Sequence, residues 1–343
     1  MPDPIRGRPP AHVRPKPDVD APAPARGPAR TDDNARRPTT TDGVDAPRTS
    51  RTQGPYAALA ARGDFKGYVR TASGQDVYVS VRLGVDAAKK PPVVFLDGLA
   101  ARSERNQDFE KAVSSKGQTL ISIFLPGQGE TLKKDIDATG GRSISKDISA
   151  ESQANVVAEV LDALNVTNEV SVLGLSYGGA IAAEFARLHD DRVKETMLVA
   201  PYTESQAKQY PWYNLINNPW NPWGRMWFEQ SARTTLARSF PTPPTDLKDH
   251  KSEWHEGLYR LTMGLESFAL DRAVKGREDV NFLVVPDDGA SPERQNDAAH
   301  DRAKNATWTK APASLSGKHD LVRADPNLVA EWVTDVMSGE IDG

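Results

Sequence analysis

The sequence predicts an α/β fold: a mostly parallel β-sheet with helices on both faces. Three observations predict it. Short runs of Val, Ile, Leu and Phe recur from Val93 onward, each followed by a stretch of helical periodicity, the signature of βαβ units around a buried sheet. Residues 202–270 interrupt that alternation with five of the seven Trp, several Pro and little strand pattern. That is too long for a structureless loop in a compact domain, so a helical insertion is expected there. Residues 1–54 hold 11 of the 26 Pro and no Phe, Tyr or Trp. So little apolar surface cannot offset the entropy lost on ordering, and this tail is expected to be disordered. The expected organisation is a tail over 1–54, a core in two parts over 55–201 and 271–343, and a helical, aromatic-rich insertion over 202–270.

The core elements follow in order. Residues 65–69 and 77–81 alternate apolar and polar side chains on either side of Ser73-Gly74-Gln75-Asp76, a hairpin pattern. Residues 93–96 read as a buried strand, followed by an amphipathic stretch through Val113. Residues 120–124 are the next strand. After a polar loop, residues 154–164 set Val156, Val157, Val160 and Leu161 on one helical face. Residues 170–173 lead into a helix over 180–188. Runs at 197–200, 282–285 and 306–315 complete the strands, ahead of a last helix over 328–337. Right-handed crossovers in such a sheet leave ligand sites outside the carboxyl ends of the strands. The residues just after each run are therefore the ones to inspect.

Composition excludes several classes first. Without Cys there is no disulfide, no thiol catalysis and no Cys–metal site. No run of 18 apolar residues predicts a transmembrane helix. The start, Met1-Pro2-Asp3-Pro4-Ile5-Arg6, lacks the apolar stretch of a secretory signal, so a cytoplasmic location is expected, with non-standard export left open. The tail carries ten Lys or Arg against seven Asp, a net +3, which leaves −7 of the overall −4 on the remainder. An acidic folded part argues against nucleic acid as the main partner. The basic tail reads as a solvated linker.

The strongest chemical signal is Gly174-Leu175-Ser176-Tyr177-Gly178-Gly179, directly after the run 170–173 and opening the small-residue helix Ala180-Ile181-Ala182-Ala183. The pattern G-x-S-x-G has a physical reason. A Ser on a sharp strand-to-helix turn is strained, and Gly two residues either side gives the turn room. The helix N-terminus beneath that Ser favours negative charge. Three further segments agree in order: Phe95-Leu96-Asp97-Gly98-Leu99, Phe124-Leu125-Pro126-Gly127-Gln128-Gly129-Glu130-Thr131, and Ser316-Gly317-Lys318-His319-Asp320 with Pro326 downstream. Together, from about Asp64 to Val336 and excluding the insertion, these segments resemble the α/β-hydrolase family, in its serine-nucleophile esterase or lipase-like branch. They stand for its post-strand His-Gly segment, its D-x-P-G-x-G-x-S loop and its terminal G-x-G-H loop. The resemblance implies an α/β-hydrolase fold with a helical cap at 202–270.

The resemblance also implies roles. Ser176 is the expected nucleophile. A serine hydroxyl needs a base and the base needs an orienting group, and His319 is the candidate base. His12 lies in the tail, His189 at a helix end, His250 and His255 in the insertion and His300 on a polar helix. The acid follows the strand at 282–285, where the chain reads Pro286-Asp287-Asp288-Gly289 in place of the family's G-x-x-D turn. Asp288 is favoured because Gly289 permits a tight turn; Asp287 is the alternative and Glu204 a third option. Either Asp could instead merely cap the turn. Carried over from the family, the oxyanion hole is the backbone N–H of Leu99 and of Tyr177. Two positions depart from the pattern: Asp97 stands where the family often has His, and Phe124 where it usually has an acid. Asp97 could steer substrates or simply hydrogen-bond its loop.

The expected function is a metal-free, cofactor-free serine hydrolase that cleaves a small-molecule carboxylic ester through Ser176, His319 and an Asp. Aromatics in the insertion (Trp212, Trp220, Trp223, Trp227, Phe228) favour an apolar acyl or aromatic substrate, or simply pack the cap onto the core. The same triad serves thioester, amide, lactone or carbon–carbon bond hydrolysis or perhydrolysis. A non-catalytic binding protein on this fold is the alternative from another class.

Overall fold

The computed structural model describes residues 54–140, 148–204 and 221–340. The expectation for the tail falls almost wholly outside these residues, and so do Tyr210, Trp212 and Trp220 of the insertion.

The described residues form an eight-stranded sheet in the order β1-β2-β4-β3-β5-β6-β7-β8. The strands are β1 (Phe65–Arg70), β2 (Asp76–Arg82), β3 (Val93–Leu96), β4 (Leu120–Phe124), β5 (Val170–Leu175), β6 (Val193–Val199), β7 (Val280–Val284) and β8 (Thr307–Lys310). β2 pairs antiparallel with β1 and β4, and every later pairing is parallel. Strand order reverses at β3, which has β4 on one side and β5 on the other. Such a reversal opens a crevice at the carboxyl ends of the two strands, and the register Leu96↔Gly174 puts the segments after β3 and β5 beside each other there.

The longer helices are α1 (Gln107–Ser115), α2 (Gly129–Thr139), α3 (Ala150–Ala163), α4 (Tyr177–Leu188), α5 (Pro222–Ser239), α6 (Lys251–Gly264), α7 (Glu293–His300) and α8 (Pro326–Ser338). Period-two alternation sorts the strand side chains between two cores. Val94, Leu96 and Val172 pack with Val157, Leu161, Ile181 and Phe185 of α3 and α4. Val93, Phe95 and Leu173 pack with Phe109 and Val113 of α1 and Val329, Trp332 and Val333 of α8. Among the described residues no helix is long and apolar enough to cross a membrane.

Two of the differences from the sequence expectation have a plain physical reason. The last strand ends at Lys310 rather than 315, because Pro312 cannot donate to a ladder and residues Ala313–Leu315 turn as a 3-10 helix. The loop expected to be polar throughout after β4 contains α2. Its buried stripe is short, with Leu132 and Ile136 one turn apart.

Those two side chains find partners in the segment between β6 and β7. Trp254 and Leu258 of α6 and Leu247 pack on them, with Leu99 and Ala100 at the edge of the cluster. Trp254 is thus a packing residue, its ring meeting Phe240 edge-on at 6.5 Å. The Arg233 guanidinium of α5 stacks 3.6 Å over the Tyr259 ring of α6. The segment Asn221-Pro222-Trp223 starts α5: Asn221 Oδ1 accepts from the Gly224 N–H at 3.0 Å, and Pro222 occupies the first turn. Trp223 and Trp227 of α5 are exposed.

Candidate active site

Ser176 sits between β5 and α4 at φ 54°, ψ −116°, in the left-handed region that costs a non-Gly residue on the order of 1–3 kcal/mol. The surroundings leave it no alternative. A Cβ on Gly174 would lie 2.4 Å from the Gly178 carbonyl oxygen, and one on Gly178 would lie 1.9 Å from that of Leu96. Only two Gly let strand, turn and helix approach this closely. Backbone bonds then lock the turn: Ser176 N–H donates to Val199 O at 3.0 Å, and Ser176 O accepts from Gly179 and Tyr202, each at 2.9 Å.

His319 reaches Ser176 from the loop after β8. Its Nε2 lies 2.7 Å from Ser176 Oγ, and its Nδ1 lies 2.6 Å from Asp288 Oδ2. With the Nδ1 proton donated to Asp288, Nε2 is left as the acceptor for the Ser hydroxyl. Asp288 is buried and also accepts from the Ala290 N–H at 2.8 Å. Burial alone would raise its carboxyl. The hydrogen bond and charge of His319, with the Ala290 and Ser291 N–H groups, outweigh that and hold it below the ordinary aspartate range. An anionic Asp288 can thus hold the ring in one tautomer and stabilise its protonated form.

The neighbouring carboxylates do other things. Asp287 accepts from Ser316 Oγ at 2.7 Å, so it ties the acid turn to the histidine loop. The left-handed residue of this turn is Asp287 at φ 55°, while Gly289 takes no positive φ. The tight turn argued from Gly289 is therefore made one position earlier by the other aspartate. Glu204 pairs in an isolated bridge with Ala269, and the two ring nitrogens of His319 are taken by Asp288 and Ser176.

Asp97 is 2% exposed and its charge is met. Oδ1 accepts from the Gly98 N–H at 2.6 Å, and Oδ2 pairs with Arg323 Nη2 at 2.5 Å. Arg323 also donates to Asn106 Oδ1 at 2.9 Å and to Asp320 Oδ2 at 2.7 Å. Burial disfavours the Arg323 charge, but Asp97 and Asp320 outweigh it and raise its pKa. Of the two roles open to Asp97, the geometry matches the loop hydrogen bond rather than a free charge steering substrates. Phe124 is a core residue with its ring edge-on to Tyr78 at 5.7 Å.

The backbone N–H groups of Leu99 and Tyr177 have no acceptor among the described residues, and Gly98 lies against Ser176, a Cβ there being 3.7 Å from the Ser176 Cβ. The Tyr177 side chain is buried, which pushes its phenol pKa far up. What Tyr177 offers the crevice is therefore its main chain. The motifs assign no role to two residues of this region: Arg323, four positions past His319, and Gln128, the variable position of the P-G-x-G loop. Both act through contacts between segments far apart in sequence, which no single-segment pattern records.

A hydroxyl, an imidazole and a buried carboxylate in one hydrogen-bonded chain, beside two N–H groups without an acceptor among the described residues, can generate a nucleophile and hold developing negative charge. Residues 91–319 match the model of the alpha/beta hydrolase fold family, and the chain belongs to that family. It is 26% identical over 117 residues to the 2-hydroxy-6-oxo-6-(2'-aminophenyl)hexa-2,4-dienoic acid hydrolase of Metapseudomonas resinovorans, over 34% of this chain and 37% of that one. The chain thus spans little more than a third of that relative's length. Its fold is similar to an esterase from Exiguobacterium antarcticum (TM-score 0.55, 16% identity, 80% of this chain and 100% of that one). It is also similar to the enol-lactonase of Burkholderia xenovorans LB400 (TM-score 0.52, 16% identity, 79% and 99%).

Proposed function

We propose that this chain is a serine hydrolase that cleaves a small-molecule carboxylic ester, with Ser176 as nucleophile, His319 as base and Asp288 as the orienting acid. The single observation that carries the reading is the unbroken chain from Ser176 Oγ to His319 Nε2 at 2.7 Å and from His319 Nδ1 to Asp288 at 2.6 Å. Nε2 takes the hydroxyl proton as Oγ attacks the ester carbonyl. The oxyanion is held by the Leu99 and Tyr177 N–H groups. Protonated His319 then gives its proton to the departing alcohol, leaving an acyl-enzyme. Water, deprotonated by the same imidazole, releases the acid and restores Ser176. In this reading α5 and α6 belong to the cap, and its aromatic content favours an apolar acyl or aromatic group.

The name of the Metapseudomonas resinovorans relative and the enol-lactonase among the similar folds favour a second reading, in which the same three residues open a carbon–carbon bond or a lactone. One experiment separates these and a non-catalytic protein. The folded protein is treated with a fluorophosphonate and assayed on p-nitrophenyl esters of increasing acyl length. Labelling of Ser176 with ester turnover, both lost in Ser176→Ala by on the order of 10³-fold or more, supports the ester reading. Labelling without ester turnover favours the second. A wild-type protein that is neither labelled nor active sinks both.

A further inference from the structure

Gly98 is held by both of its backbone polar atoms, and both grips come from side chains outside the expected catalytic set. Its N–H donates to Asp97 Oδ1 at 2.6 Å. Its carbonyl oxygen accepts from Gln128 Nε2 at 2.9 Å and from the Ala101 N–H at 3.2 Å, which fills both lone pairs. The Gln128 side chain cannot swap its two ends. Its Oε1 faces the Leu125 N–H at 3.2 Å while its Nε2 faces the Gly98 oxygen, so donor meets acceptor at each end. Gln128 is also 2% exposed, at the start of α2, where its own N–H donates to Leu125 O at 2.9 Å.

The consequence lies on the other side of the same peptide unit. No peptide bond in the described residues is cis, so the Gly98 carbonyl and the Leu99 N–H point in opposite directions from one rigid plane. Fixing the oxygen fixes the direction of the N–H. That plane lies beside Ser176, and the Leu99 N–H is uncommitted among the described residues. Asp97 closes the other end. Arg323 ties it to Asp320, the neighbour of His319, so the donor peptide and the base loop share one anchor.

We propose that Gln128, with Asp97 and Arg323, is a positioning residue that aims the Leu99 N–H at the oxyanion; this rests on the reading of Ser176 as nucleophile. Gln128 touches no reacting atom. It acts in the transition state only, because the donor it aims meets a full negative charge only there. Removing an oxyanion donor outright costs about 10²–10³ in kcat, and mis-aiming one costs less, about 10- to 100-fold.

The test compares wild type with Gln128→Met and Gln128→Glu in the full chain. Active sites are counted by fluorophosphonate titration, so misfolded molecules do not enter the rate. kcat and KM are then measured on a p-nitrophenyl ester, and Ki on an alkyl trifluoromethyl ketone, whose adduct on Ser176 carries the oxyanion. The expected result is a kcat per titrated site lowered about 10- to 100-fold, KM within about threefold, and Ki raised by a factor similar to the loss in kcat. Should Gln128→Met fail to fold, Gln128→Glu keeps the acceptor for Leu125 and replaces the donor to Gly98 by a repelling oxygen; the same criteria apply to it. A kcat per site within about twofold of wild type, or a fallen kcat with unchanged Ki, overturns the inference while leaving the proposed function standing. An unlabelled wild-type Ser176 overturns both.

Discussion

The elbow that carries Ser176 and the two turns that face it are built in opposite ways. At the elbow the constraint is steric: the atoms nearest to Gly174 and Gly178 are backbone atoms of Gly178, Gly179 and Leu96 at distances no Cβ tolerates. At residues 286–290 and 316–320 the constraint is polar. Ser316 bonds Asp287, Gly317 N–H bonds Pro286 O, Ala290 N–H bonds Asp288 and His319 bonds Asp288. Steric closeness admits one residue type at fixed spacing within a single segment. A hydrogen-bonded arrangement admits several combinations drawn from distant segments.

The largest effect should come from splitting the polar side. Asp288→Asn keeps the shape and the contact but loses the anion that orders and stabilises His319. In a comparable arrangement that change costs about 10⁴-fold in kcat, and a loss of at least 10²- to 10³-fold is expected here, read on a p-nitrophenyl ester with sites counted by titration. Asp287→Asn retains an acceptor for Ser316, and its kcat should stay within about threefold. Equal losses in the two variants would break the assignment of Asp288.

The steric side is next. Gly178→Ala places a methyl 1.9 Å from the Leu96 carbonyl oxygen, and neither α4 nor β3 can rotate a side chain out of the way. Overpacking of this kind costs about 3 kcal/mol or more, visible as a lowered urea midpoint at unchanged m. A Gly178→Ala variant as stable as wild type would mean that the elbow has slack that the contacts do not show.

Acid should then loosen the polar side. The Asp288 carboxyl titrates lower in the folded protein than in the unfolded chain. The unfolded state therefore binds the proton first, and the stability that Asp288 contributes is present above the ordinary aspartate range and lost as pH falls below about 4. Between pH 5 and pH 3, roughly, wild type should lose more stability than Asp288→Asn, measured by urea unfolding at each pH. Parallel pH curves for the two proteins would show that the shift does not reach the folding equilibrium.

That contrast also explains what the sequence revealed. The apolar runs marked the parallel strands from β3 to β7, because a buried parallel strand is apolar on both faces, whereas β8, with Thr307, Trp308, Thr309 and Lys310, is no apolar run and is only partly buried. The elbow was legible for its steric reason, and Ser176 and His319 stood in motifs with few competing readings. The choice between Asp287 and Asp288 was open in sequence: both follow β7, both precede Gly289, and only their tertiary partners, Ser316 and His319, differ. The role of Asp97 was equally open until Arg323, 226 positions away, appeared beside it. α2 was hidden because two apolar side chains, Leu132 and Ile136, are too few to make a periodicity. Their reason for being apolar is Trp254 and Leu258, more than a hundred residues later.

The smallest effect concerns residues outside both regions. The described fold begins at Gly54, and its first anchors are specific. Tyr56 is buried, donates its N–H to Ala88 O at 3.0 Å and its hydroxyl to Glu169 O at 2.5 Å, and Leu59 is fully buried in the same core. Residues 1–53 contain no aromatic side chain to supply a comparable anchor. Deleting them should leave kcat within about twofold and shift Tm by no more than about 2 °C. Extending the deletion through Arg62 removes Tyr56 and Leu59 as well. Stripping two such side chains from a core costs several kcal/mol, on the order of 3–5 for one large side chain alone. A drop in kcat with the shorter deletion would mean that the tail reaches the crevice that the elbow and the two turns enclose.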